Sequence, residues 1–183
     1  MSSRRTGILA MFLLLLWACE QHTMQRYDYT VHGIDVSHYQ SVINWDDIAA
    51  QGLSFAFVKA TEGLSMQDTM FCHNWAEMQR VGIKRGAYHF YRPTIPARAQ
   101  ADNFSRLVEM DYGDLPPVLD VEVLDGVSKT ILINGMRTWL YQIEIRYNVK
   151  PIIYTNLKFY NKILAGHFDE YPVWIARYNF REP

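Results

Sequence analysis

The sequence predicts an α/β fold in one domain, carried by a parallel sheet or barrel. Three observations predict it. From Val31 onward, short apolar strands alternate with helical patterns, the order that builds parallel sheets. The stretch Leu115–Asp125 (LPPVLDVEVLD) opens with two prolines, which fit the start of a strand, and then alternates strictly. The chain has 183 residues, 49% hydrophobic and 20% charged, which suits a single domain with a real core.

The first strand is Val31–Ser37, with Asp35 near its C-terminal end. Helix Asn44–Gln51 follows, capped by Asn44 and ended by Gly52. Strand Ser54–Ala60 leads to helix Asp68–Val81, whose apolar residues Phe71, Trp75, Met78 and Val81 keep helical spacing up to Gly82. Strand Lys84–Tyr91 is stopped by Pro93. Helix Pro96–Met110 opens on a proline and packs through Ala97, Ala101, Phe104 and Val108. The fourth strand carries the acidic stretch. Helix Ser128–Tyr147 has Ser128 as cap and a stripe through Leu132, Met136, Trp139, Ile143 and Tyr147. Strand Pro151–Thr155, helix Asn156–Leu164 and strand Pro172–Arg177 complete the order.

Composition narrows the partners. A formal net charge of −1 leaves no basic footprint for nucleic acid. Arg4 and Arg5 precede the apolar run Ile8–Trp17, which is too short to span a bilayer and has the proportions of a signal peptide, so residues 1–18 are expected to be removed on export. The run ends in Leu16-Trp17-Ala18-Cys19 and resembles a lipoprotein lipobox, with Cys19 as the lipidated residue and the only membrane attachment; plain secretion is the alternative. Residues 19–30 read as a tether ahead of a catalytic domain spanning 31–183. With Cys19 committed to lipid, Cys72 has no partner and is expected to be a small buried hydrophobe. No motif calls for a metal or cofactor.

The chemistry collects at strand ends. Alternation puts Val118, Asp120 and Glu122 on one face and Leu119, Val121 and Val123 on the other. At ~3.3 Å rise per residue, the Asp120 and Glu122 Cβ atoms lie about 6.6 Å apart. Carboxylates that close do not ionise independently, so one pKa is expected to rise, as acid–base work on a glycosidic bond requires. The face starts apolar and turns acidic only at its C-terminal end, where parallel sheets bind ligands, and Asp35 ends its own strand there too. The segment Gly86–Tyr91 adds polar-tipped rings, which suit the flat faces and hydroxyls of sugars.

Six segments then resemble the glycoside hydrolase family 25 lysozymes in order and spacing. They are GIDVSHYQ (Gly33–Gln40) with Ile43-Asn44-Trp45, FAFVKATEG (Phe55–Gly63), GAYHFYR (Gly86–Arg92), PVLDVE (Pro117–Glu122), IIYT (Ile152–Thr155) and VWIARY (Val173–Tyr178). The resemblance implies an irregular TIM-like β/α barrel that hydrolyses the β-1,4 bond between N-acetylmuramic acid and N-acetylglucosamine in peptidoglycan. By position it makes Glu122 the general acid, Asp120 the residue that orients the 2-acetamido group or serves as second carboxylate, and Asp35 a positioning residue or base. Inversion and substrate-assisted retention both remain open. Tyr88, His89, Tyr154, Trp174 and Tyr178 match positions near the groove, and Lys59 and Glu62 match as a buried support. Family members continue for two further strands beyond the one matching Val173–Tyr178. The barrel is therefore expected to be incomplete at its C-terminus, with open edges that favour association. Two other classes compete. One is a non-catalytic glycan-binding lipoprotein. The other is a metal-dependent hydrolase using Asp35, His38, His89 and Asp120.

Overall fold

The computed structural model describes residues 30–177. The signal segment, Cys19 and Tyr178 lie outside the described residues. Seven strands form one sheet: β1 (Gly33–Val36), β2 (Phe55–Glu62), β3 (Met66–Gln67), β4 (Lys84–Phe90), β5 (Val118–Asp120), β6 (Ile152–Asn156) and β7 (Val173–Ala176). Their order is β1-β2-β4-β5-β6-β7, every neighbour parallel, with the short β3 antiparallel on β2. The parallel strands are joined through helices α1 (Trp45–Ala50), α2 (Phe71–Val81), α3 (Ala97–Leu107), α4 (Lys129–Tyr147) and α5 (Leu157–Phe159). The sheet curls into a half-barrel, the incomplete TIM-like architecture expected. Among the described residues β1 and β7 each pair on one side only.

Local signals explain the element ends. Asn44 and Ser128 accept hydrogen bonds from Asp47 N–H and Ile131 N–H, capping α1 and α4. Gly82 closes α2 in the left-handed region at φ 77°, a conformation open to glycine at no steric cost. The helix predicted over Asn156–Leu164 is one turn of α-helix followed by a π turn, Tyr160–Leu164, closed by an Ala165 N–H bond to the Tyr160 carbonyl.

The convex face of the sheet is the core. Val36, Val58, Ala87, Leu119, Val121 and Ile153 pack under Phe71, Met78, Phe104, Leu132, Met136, Trp139 and Ile143 from the helices. The predicted stripes of α3 and α4 face this layer. Cys72 does not: it is exposed. The buried residues of α2 are Phe71, Asn74 and Met78, and Cys72 sits one position, about 100° of helix rotation, off that line.

The concave face carries the opposite residue parity. Its floor is made by Phe55 and Phe57, whose rings lie where a Cβ on Gly33 and Gly86 would stand. Phe57 continues across to Trp174 on β7, with ring centroids 5.2 Å apart.

Candidate active site

A cleft of about 390 Å³ opens at the C-terminal ends of the strands. Asp35 and Ser37 border it from β1, Lys59 and Glu62 from β2, Tyr88 and Phe90 from β4, Val118, Asp120 and Glu122 from β5, Tyr154 from β6 and Trp174 from β7. All of these but Glu62 come from the parity class that alternation assigns to one face. The exception in spacing is Lys59 and Glu62, three residues apart on one strand and yet both in the cleft. A bulge explains it. The register of β2 against β4 slips between Lys59 and Thr61, so Ala60 and Thr61 both turn to the core and Glu62 returns to the cleft. The slip lets Lys59 Nζ donate to Glu62 Oε2 at 2.6 Å.

Glu62 ties the cleft's two cations together. Its other oxygen accepts from Arg92 Nε and Nη2 at 2.8 and 2.6 Å. Burial works to raise the Glu62 carboxyl, and the hydrogen bonds from Lys59 and Arg92 more than offset it, holding the group below the usual carboxylate range. Lys59 and Glu62 thus support each other as expected, and both also line the cleft.

Asp120 is the electrostatic centre. It is only 7% exposed, and its Oδ1 is buried without a hydrogen-bond partner among the described residues. Burial, then the nearby charge of Glu122, pushes its pKa up to about 8; Lys59 opposes the rise, and Asp35 and Glu62 add to it. The carboxyl expected to hold a proton is therefore Asp120. Asp35 stands across the cleft on the edge strand, raised by partial burial against an opposing backbone hydrogen bond. Glu122 follows the end of β5, half-buried, with Asn156 Nδ2 at 3.5 Å from its Oε2.

The aromatic walls are Tyr88, Tyr154 and Trp174, the last two edge-to-face at 5.0 Å. Burial, with Asp120, Asp35 and Asp68 nearby, keeps the Tyr88 hydroxyl protonated far above the usual phenol range. His89 is the correction. As Tyr88's neighbour on β4 it must face the other way, and it is fully buried in the core. There its Nδ1 lies 2.7 Å from Thr61 Oγ1 and its Nε2 3.0 Å from Gln100 Oε1, with the ring stacked on Trp139. His38 pairs with Asp68 at 2.6 Å on the turn beyond β1. The four residues considered as metal ligands are thus divided between the two faces of the sheet. Among the described residues no three His, Cys, Asp or Glu side chains are grouped to hold a metal.

Ser37, Tyr39, Phe90 and Arg92 also border the cleft and escaped the sequence reading. Ser37 and Phe90 were findable, since they share parity with Asp35 and Tyr88.

Residues 34–183 match the model of the family described as glycosyl hydrolases family 25. The chain belongs to glycosyl hydrolase family 25. Family 25 relatives with solved structures share the half-barrel. One is a family 25 glycosyl hydrolase from Bacillus anthracis, at TM-score 0.82 and 30% identity, covering 86% of this chain and 75% of that one. Another is the lysozyme of Streptomyces coelicolor, at TM-score 0.79 and 34% identity, covering 86% and 78%. Among curated relatives, Lysozyme M1 of Streptomyces globisporus is 37% identical over 170 residues, covering 84% of this chain and 56% of its own length. The uncharacterized protein YegX of Escherichia coli (strain CFT073) is 44% identical over 160 residues, covering 85% and 59%. The chain spans about three-fifths of the length of the first curated relatives it matches.

Proposed function

We propose that this protein is a muramidase that hydrolyses the β-1,4 bond between N-acetylmuramic acid and N-acetylglucosamine in peptidoglycan. One observation carries the reading. A buried carboxyl with an unpartnered oxygen, raised to about 8, lies beside a second carboxylate in a cleft walled by aromatic rings. A protonated Asp120 suits the 2-acetamido group, whose carbonyl accepts the hydrogen bond that Oδ1 lacks inside the protein. Glu122, nearer the open end, takes up the proton that the acidic pair retains and passes it to the leaving glycosidic oxygen. Asp35 positions the sugar or the attacking water from the opposite wall. Tyr88, Tyr154 and Trp174 hold the pyranose faces, and Tyr178 is assigned with them from the sequence alone.

The test is release of reducing ends from purified peptidoglycan. Glu122→Gln is expected to lose at least ~100-fold in rate while keeping its far-UV circular dichroism and melting temperature. Wild-type rates in that variant would remove Glu122 from the role of acid.

The same reading has the chain exported, with Cys19 lipidated and the sheet edges at β1 and β7 available for association. Mass spectrometry of the mature N-terminus, with Cys19→Ala as control, tests the anchor, and an unmodified Cys19 discards it.

A further inference from the structure

Behind Glu122 lies a second hollow of about 260 Å³, which shares that carboxylate with the main cleft. Leu124, Phe159 and Ile163 give it an apolar floor, and Lys158 and Lys162 line it as exposed cations. Phe159 and Ile163, like Lys158 and Lys162, are four apart along the segment that runs through α5 into the π turn. Two parallel rows result, one apolar and one cationic. A π turn is rare in helical segments and gathers at functional sites. This one follows directly on β6, whose last residue, Asn156, both caps α5 and approaches Glu122.

Charge separates the two hollows. The main cleft presents Asp35, Glu62 and Glu122 beside the proton-bearing Asp120, and its cations Lys59 and Arg92 are committed to Glu62. Among the described residues neither Lys158 nor Lys162 belongs to any ion pair. An anionic group is repelled from the first hollow and drawn to the second.

We propose that the hollow lined by Lys158, Lys162, Phe159 and Ile163 is a subsite for the carboxylate-bearing substituent on the muramyl residue. The inference rests on the muramidase reading, which supplies a substrate with such a group close to the scissile bond. Two sources share the chemistry. The lactyl ether ends in a carboxylate when bare, and when substituted it carries a short peptide of small apolar and acidic residues. The apolar row beside the cationic one accommodates methyl groups next to carboxylates.

Binding of three probes to the full chain carrying Glu122→Gln tests the subsite by titration calorimetry. The probes are glycan strands bearing stem peptides, the same strands after amidase removal of the peptides, and neutral chito-oligosaccharides of equal length. Adding K158E and K162E is expected to lower affinity for the peptide-bearing strands about tenfold more than for the chito-oligosaccharides, while K158R and K162R preserve the ratio. A loss confined to peptide-bearing strands assigns the lysines to the stem peptide, and a loss on both muramyl probes assigns them to the lactyl carboxylate. Equal changes on all three probes, or none, overturn the subsite. Failure of the muramidase reading is seen separately, as wild-type protein releasing no reducing ends from peptidoglycan while these binding ratios still decide the subsite.

Discussion

His89 and Asp120 are two buried polar residues on adjoining strands, and they differ in whether the fold satisfies them. Gln100 donates to the carbonyls of Arg92 and Ile95, each at 2.9 Å, which fixes its amide and leaves Oε1 to accept. His89 must therefore donate from Nε2 and accept the Thr61 hydroxyl at Nδ1, which makes it a neutral imidazole with both nitrogens occupied. Burial pulls its pKa down to about 4. Asp120 is about as deeply buried, but one oxygen has no partner and its pKa is pushed up to about 8. A completed hydrogen-bond set marks a residue that holds the structure. Asn74, Trp139 and Thr155 also bury an unpartnered atom, but of these four residues Asp120 is the one that lines the cleft, where a partner can come from outside.

Substitutions at the two positions should break in opposite directions. Asp120→Asn is expected to show the largest effect, a loss of about 100-fold or more in kcat, because the amide keeps the shape and a donor but can neither ionise nor give its proton to Glu122. It should also gain stability relative to wild type as pH rises. The Asp120 pKa is above its unfolded value near 3.8, so its neutral form favours the fold, and that stability fades as pH climbs through about 8. Melting curves of D120N and wild type from about pH 5 to 9 should diverge upward for the variant. Parallel curves would mean that Asp120 is ionised in the folded protein.

His89→Phe should cost about 2 kcal/mol, since Thr61 and Gln100 lose a partner in the core, with kcat nearly unchanged. Its pH signature has the other sign. A folded pKa depressed from 6.5 to about 4 means that wild type loses stability as pH falls from 6.5 through about 4, and the variant should lack that part of the loss. Chemical denaturation at several pH values measures both. A fall in kcat comparable to that of D120N would return His89 to the cleft. Glu62→Gln has the smallest expected effect, about 1–2 kcal/mol in the same measurement, because it leaves the buried Lys59 ammonium without its counter-charge although Glu62 itself is partly open to water.

The same contrast separates what the sequence reveals from what it hides. Alternation in Leu115–Asp125 was enough to put Asp120 and Glu122 together, because successive side chains of a strand point to opposite faces. Asn44, Gly82 and Ser128 marked helix ends through local backbone chemistry that needs no tertiary context. His89 was placed near the groove by its match to the family's segment, yet Tyr88 and His89 cannot share a face of one strand, and parity alone contradicts the pairing. The bulge near Ala60 and the π turn at Tyr160 have no such local signature. The first is set by the register of β2 against β4. The expected position of Cys72 failed for a related reason, since the buried line of α2 runs through polar Asn74, which accepts the Trp45 indole N–H at 3.0 Å.

Gly86 is not among the residues that line the cleft, yet it decides where the ring packed on Trp174 stands. With no side chain there, the Phe57 ring takes the space that a Cβ would fill and packs, tilted, on Trp174. A single methyl group at that position would overlap Phe57 Cε1 and displace that ring, so the packing against Trp174 is set by an atom that is not there.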